Sequence, residues 1–260
     1  MPTKVKLLQP APHASLEVVG QQSVVLVDEH WAGLERVELD LDRARQARLV
    51  TFAPEEPAQA SFDVLRTKVL RCLNVNSWTT VAITSPERES GKSVVAVNLA
   101  FSLANLQSCR VVLLDLNLRQ PQISSILGLD MARPTESFLQ GRASIKSTFV
   151  RYGENLAVSA GPHGINYSAE LLQSQSARSA MMQLHDKLCP TVVIVDLPPV
   201  LGSDDVLAFL PNIDCTLLVA GAGMTTMAKI RCCEQELAGE TNLLGIVLNK
   251  CRYGHGRGYY

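Results

Sequence analysis

From Thr79 onward the chain alternates short, wholly apolar runs with longer segments whose apolar positions follow helical spacing. The runs lie at residues 81–83, 111–114, 156–158, 192–195, 217–219 and 246–248. The segments between them predict helices over 93–106, 176–188 and 225–237. Strands this short and apolar, separated by helices, suit a mostly parallel central sheet covered on both faces, an α/β fold. Upstream, residues 23–27 read as a short strand and 39–49 as a helix with charged faces. The stretch Ala53-Pro54-Glu55-Glu56-Pro57 reads as a hinge or turn. Phe62, Leu65, Val69, Leu70 and Leu73 then recur at helical spacing. The organisation expected is an N-terminal extension and linker over 1–58, one α/β domain over 59–250 and a flexible glycine-rich tail over 251–260.

Composition narrows the functional classes. Lys and Arg number 24 against 25 Asp and Glu, so no global charge draws the chain to nucleic acid or to an anionic membrane. No window reaches the roughly 18 uninterrupted apolar residues of a spanning helix. The start, with Lys4 and Lys6 but only a brief apolar patch before Pro10, does not read as a signal peptide. Seven cysteines without C-x-x-C or His/Cys ligand spacing fit free thiols in a reducing cytosol better than a zinc site or a disulfide framework.

The strongest chemical signal is Ser85-Pro86-Glu87-Arg88-Glu89-Ser90-Gly91-Lys92-Ser93, which follows an expected strand and opens an expected helix. Phosphate binding needs convergent backbone N–H groups, a helix N-terminus, a lysine for charge and a hydroxyl for Mg²⁺. Ser90 through Val94 supply that backbone; Lys92 would reach the outer phosphates and Ser93 would ligate the metal. Pro86 replaces the first glycine of the usual G-x-x-x-x-G-K-S pattern, and a bare G-K-S triplet also fits a surface turn. Glu87 and Glu89 are compatible with phosphate only if they point away from it.

Two aspartates strengthen the phosphate reading. Asp115 ends the run at 111–114 and Asp196 ends the run at 192–195. Ligands of open α/β sheets bind outside the carboxyl ends of the strands, so both acids should face the phosphate loop. Either alone could equally cap the turn that follows it.

Taken in order along the chain, these blocks resemble the bacterial tyrosine kinases of capsule and exopolysaccharide export, relatives of the Min and Par P-loop ATPases with a deviant Walker A loop. The resemblance rests on six blocks: the helix at Phe62–Thr67, the S-P-x-x-x-x-G-K-S loop, Val111 to Pro121 (VVLLDLNLRQP), Asn166 to Gln173 (NYSAELLQ), Val192 to Val200 (VVIVDLPPV) and Leu244 to Lys250 (LGIVLNK). It implies a P-loop fold and ATP-dependent autophosphorylation of a C-terminal tyrosine cluster, here Tyr253, Tyr259 and Tyr260. It implies ATP and Mg²⁺ as cofactors, with Lys92, Ser93, Asp115, Asn117 and Asp196 around the metal and phosphates. Asp115 would orient or deprotonate the attacking hydroxyl. As partners it implies a membrane adaptor or polysaccharide co-polymerase, a protein-tyrosine phosphatase and other copies of the chain. The expected location is the cytoplasm, at the inner face of the cell membrane, in the manner of the branch that lacks its own spanning segments.

Three motifs depart from the family pattern. Asn117 stands where the second acid of D-x-D-x-R is usual. The oligomerisation helix E-x-x-R-x-x-R reads Ala60, Asp63, Arg66. The signature lysine of the Min/Par group is Glu87. Asn249-Lys250-Cys251-Arg252 looks like a guanine-reading N-K-x-D, but Arg252 has no acceptor for guanine's donors, so adenine is expected near Asn249. Two further readings stay open: an ATP-binding regulatory subunit that transfers phosphate poorly, and a Min/Par-type positioning ATPase.

Overall fold

The computed structural model describes residues 29–52, 57–129 and 134–251. The expected strand at 23–27, most of the Pro/Glu hinge and the three tail tyrosines lie outside them. Eight strands form one sheet: β1 (Glu35–Arg36), β2 (Thr80–Thr84), β3 (Val111–Asp115), β4 (Val150–Tyr152), β5 (Leu156–Ser159), β6 (Val192–Asp196), β7 (Cys215–Gly221) and β8 (Asn242–Asn249). Their order is β1-β4-β5-β3-β6-β2-β7-β8. From β5 to β8 every pairing is parallel, and the six expected strands fall in this block. The fold is an α/β P-loop sheet, with one reversal at the β4–β5 pairing, which is antiparallel.

Alternation along the strands decides what covers each face. Val112, Leu114, Val193 and Val195 pack under the helices Gln175–Leu188, Asp205–Phe209 and Met227–Leu237. Val111, Leu113, Val192 and Ile194 pack under Pro57–Asn76, Lys92–Ala104 and Ile123–Leu127. With both faces covered, β2, β3 and β6 have no exposed position, which is why they read as unbroken apolar runs. Among the described residues no helix is long and apolar enough to cross a membrane.

The part of residues 1–58 that is described docks on this sheet. The Trp31 indole is 2% exposed and donates from Nε1 to the Leu188 carbonyl at 2.8 Å. β1 adds to the β4 edge in parallel. The helix expected over 39–49 is shorter, Leu41–Gln46, because Asp40 caps its start by accepting from Asp42 and Arg43 N–H. Asn98, in the helix of the phosphate loop, accepts from Val50 N and donates to Arg48 O, tying this segment to the core.

Candidate functional site

Three strand ends build the site. β2 leads into the loop at residues 85–91, and the helix Lys92–Ala104 begins at its end. Gly91 is the N-cap, with φ 86°, in the left-handed region. A Cβ there would lie 2.3 Å from Asn249 Nδ2, so only glycine fits both the conformation and the space. The first helical bond runs from Val95 N to Gly91 O, and no side chain caps this end. The N–H groups of Lys92, Ser93 and Val94 therefore point out of the helix start, where an anion is favoured.

Lys92 and Ser93 are each 7% exposed, and Asp196 is fully buried. The Lys92 ammonium donates to Asp196 Oδ1 at 3.3 Å and to Ser93 Oγ at 3.2 Å. The Ser93 side chain also hydrogen-bonds Asp196. Asp196 Oδ2 is buried with no partner among the described residues. Burial raises the Asp196 pKa, and the Lys92 charge and the Ser93 bond oppose that rise.

Parallel register sets Asp115 beside Asp196 at the ends of β3 and β6. Asp115 is also fully buried. Its Oδ2 accepts from Gln122 N and Ile123 N, both at 2.9 Å, and its Oδ1 from Asn117 N at 3.2 Å. Burial, then the neighbouring Asp196 charge, pushes its pKa up to about 7 against the pull of those donors and Lys92. Asn117 is 7% exposed and donates from Nδ2 to Gln120 O at 2.6 Å. Its carboxamide nitrogen thus closes its own turn.

Asn249, at the end of β8, donates from Nδ2 to Ser90 O at 2.9 Å and packs on Gly91. Five of the expected residues, Lys92, Ser93, Asp115, Asn117 and Asp196, are linked by contact or register, and Ser90, Gly91, Val94 and Asn249 frame them. The tail tyrosines lie outside the described residues.

The loop carboxylates sit where the sequence left a condition. Glu89 is exposed. Glu87 accepts from Thr225 Oγ1 at 3.0 Å and pairs with the Lys229 ammonium, which, with the Thr225 bond, holds its pKa below the usual carboxylate range despite partial desolvation. Thr225 and Lys229 are site residues that sequence reasoning missed, since an ion pair spanning 142 positions leaves no local pattern. Arg119 with Ser168 and Asp205 was missed for the same reason.

A family model described as the CobQ/CobB/MinD/ParA nucleotide binding domain matches residues 81–258. The chain is similar to the tyrosine-protein kinase ptk of Acinetobacter johnsonii, 28% identical over 178 residues, covering 68% of this chain and 24% of that protein. It is similar to the succinoglycan biosynthesis transport protein ExoP of Rhizobium meliloti (strain 1021), 26% identical over 234 residues, covering 86% of this chain and 29% of that protein. The chain thus spans less than a third of the length of these relatives. The solved kinase domain of the Escherichia coli tyrosine kinase ETK shares the fold, with a TM-score of 0.69 at 23% identity over 81% of this chain and 84% of that one.

Proposed function

The chain belongs to the CobQ/CobB/MinD/ParA family of nucleotide-binding domains, and from that premise we propose that it is the catalytic unit of an ATP-dependent protein-tyrosine autokinase serving exopolysaccharide polymerisation and export. The names of its relatives support the kinase and export readings. The observation that carries the proposal is the convergence, at the carboxyl ends of the interior strands β2, β3 and β6, of the Lys92–Asp196 pair, the Ser93 hydroxyl and Asp115.

The residues fit Mg²⁺ and ATP. A buried carboxylate oxygen without a partner on Asp196, beside a serine hydroxyl, is a hard-oxygen donor set for Mg²⁺. The bound Mg²⁺·ATP supplies the phosphoryl group and neutralises charge. Lys92 and the N–H groups of Ser90 to Val94 hold phosphate oxygens, Ser93 and Asp196 hold the ion, and Asn249 lies toward the base. Asp115 would take the proton of the tyrosine hydroxyl as the tyrosine oxygen attacks the γ-phosphorus and the bond to the leaving ADP breaks. In the nucleotide-free site burial and the neighbouring Asp196 charge raise the Asp115 pKa, the direction a base working near neutrality needs. Phosphoryl transfer asks for little beyond such positioning and charge neutralisation.

In this reading residues 59–250 form the kinase unit, and Tyr253, Tyr259 and Tyr260 accept phosphate, in cis or from a second copy. A membrane adaptor or co-polymerase and a phosphatase complete the system at the inner face of the membrane. One observation favours a second reading, an ATP-binding regulatory subunit with weak transfer: Asn117 brings no charge and spends its carboxamide nitrogen on Gln120. Mass spectrometry of the purified chain, before and after Mg²⁺·ATP with a fragment of its adaptor, separates the two. Phosphate on the tail tyrosines that Asp115→Asn abolishes supports the kinase; bound ATP without phosphotyrosine supports the regulator.

A further inference from the structure

Behind the turn that carries Asn117 lies a second charged cluster that the phosphate chemistry does not use. Asp205 is fully buried, at the start of the helix Asp205–Phe209. Its Oδ2 accepts from Arg119 Nε at 3.0 Å, and its Oδ1 accepts from Ser168 Oγ at 2.8 Å and from an Arg119 Nη at 3.4 Å. Arg119 Nε also donates to Ser168 Oγ at 2.9 Å, and its other end meets Asp204 at 3.5 Å. A bidentate arginine on a buried carboxylate fixes the guanidinium plane as well as its distance.

This clamp joins three segments far apart in sequence: the turn after β3, the start of the helix Ser168–Gln173 and the segment that continues from Asp196. Its backbone surroundings agree with a fixed arrangement. Ile165 N donates to Leu118 O at 2.8 Å, and a Cβ on Gly164 would lie 2.2 Å from Arg119 O, so the 164–165 chain is seated on the turn. Leu118, Pro121, Gly161, His163 and Ile165 then line, with Asp115, a narrow cleft with room for about one water molecule. One face of that cleft is the turn that Arg119 pins; another is the segment that Ser168 pins.

Resting on the kinase reading above, we propose that Arg119 is a positioning residue for the acceptor side of the site: through Asp205 and Ser168 it holds the Asn117 turn and the 161–165 wall so that the cleft beside Asp115 keeps its shape. The phosphate loop has braces of its own, Asn249 and the Glu87–Lys229 pair, besides the bonds from Val200 N to Ser85 O at 2.8 Å and from Leu201 N to Pro86 O at 3.4 Å that reach it from the Asp205 segment. The partners of Arg119 itself, Ser168, Asp204 and Asp205, lie off that loop, so losing Arg119 affects the acceptor more than the nucleotide.

The test compares wild type, Arg119→Ala and Arg119→Lys, each as the full chain. Amide hydrogen exchange reports Gln122, Ile123 and Ile165; calorimetry reports Mg²⁺·ATP affinity; phosphorylation of a tyrosine-tail peptide in trans reports kcat and KM. Arg119→Ala should speed exchange at those three amides at least tenfold, leave ATP affinity within about twofold of wild type, and lower kcat/KM for the peptide at least tenfold. Arg119→Lys should recover part of both losses, because it keeps the charge on Asp205 without the bidentate fork. Unchanged exchange in Arg119→Ala overturns the clamp whether or not the wild type transfers phosphate. A peptide kcat/KM equal to wild type in Arg119→Ala overturns its role on the acceptor side. If the wild type, supplied with the adaptor fragment, binds ATP but phosphorylates no peptide, the kinase reading and the acceptor role fall together, while the exchange data still judge the clamp.

Discussion

Replacing Lys92 by methionine removes the ammonium that pairs with Asp196 at the start of the helix Lys92–Ala104. From the sequence, Lys92→Met reads as a substitution that abolishes nucleotide binding and leaves the domain folded. The structure adds a cost. The two charged atoms are 3.3 Å apart, on side chains 9% and 0% exposed. At an effective dielectric constant of about 20, opposite charges at that separation attract by about 5 kcal/mol. Removing one partner of such a buried pair destabilises by about 3–5 kcal/mol, because the remaining charge keeps its desolvation cost. Asp196 Oδ2 has no partner, so only Ser93 remains to support the carboxylate.

The sign with pH follows. In Lys92→Met, burial holds the folded Asp196 pKa above its unfolded value, with no ammonium to oppose it. The penalty is absent below the unfolded carboxylate pKa, grows as pH rises and is complete above the folded pKa. Urea denaturation of nucleotide-free protein should show Lys92→Met about 3–5 kcal/mol less stable than wild type near pH 8, with a smaller gap near pH 5. Lys92→Met/Asp196→Asn should recover most of the loss, since an amide in that place carries no charge. A Lys92→Met protein as stable as wild type near pH 8 would refute the claim that the pair neutralises a buried charge. Nucleotide binding by the double variant is then compared with Asp196→Asn alone, so that the lost Mg²⁺ ligand is common to both and only Lys92 differs.

Three further outcomes follow from the same corner. Asp115, raised to about 7 by burial and Asp196, makes the nucleotide-free protein lose stability as pH climbs from the unfolded carboxylate range through neutrality, and Asp115→Asn should flatten that slope in thermal melts across the range. Asn117→Asp sets a carboxylate oxygen against the Gln120 carbonyl that now accepts from Asn117 at 2.6 Å; it should lower stability without Mg²⁺ by about 1–3 kcal/mol and steepen the rise of the melting temperature with Mg²⁺, and an unchanged melt would mean the carboxamide does not hold the turn. Gly91→Ala drives a methyl into Asn249 at a φ of 86°; ATP affinity in calorimetry should fall about tenfold, or ~1.4 kcal/mol, and the loss from Gly91→Ala should be smaller when measured in an Asn249→Ala background, where the obstacle is gone.

What could be seen in the sequence divides along physical lines. β2, β3, β5, β6 and β7 are buried on both sides, so their composition alone announces them. Lys92, Asp115 and Asp196 were visible because strand ends and helix starts are places where the backbone itself aims a side chain. β1 and β4 were not, being two and three residues long with exposed or mixed positions. Nor were the tethers. Glu87 reads locally as a carboxylate misplaced beside phosphate, and only Lys229, brought alongside by the helix after β7, explains it. Arg119 reads as the end of a motif, and only the fold reveals Asp205 opposite it. Asn117 reads as a lost acid beside the metal, and only the structure shows that its carboxamide nitrogen closes the turn on Gln120.

The strand order also governs when the molecule becomes competent. β2, which carries the phosphate loop, lies between β6 and β7, and Lys92 finds its counter-charge 104 positions later. As the chain is synthesised, the loop leaves the ribosome long before either flanking strand exists. A nascent chain that ends before residue 196 has a phosphate loop with no acid to meet its lysine and an interior strand with two open edges. Pairings this distant in sequence form late and slowly, with unpaired strand edges open to aggregation in the meantime. The Lys92–Asp196 corner is thus complete only once nearly the whole domain has been made.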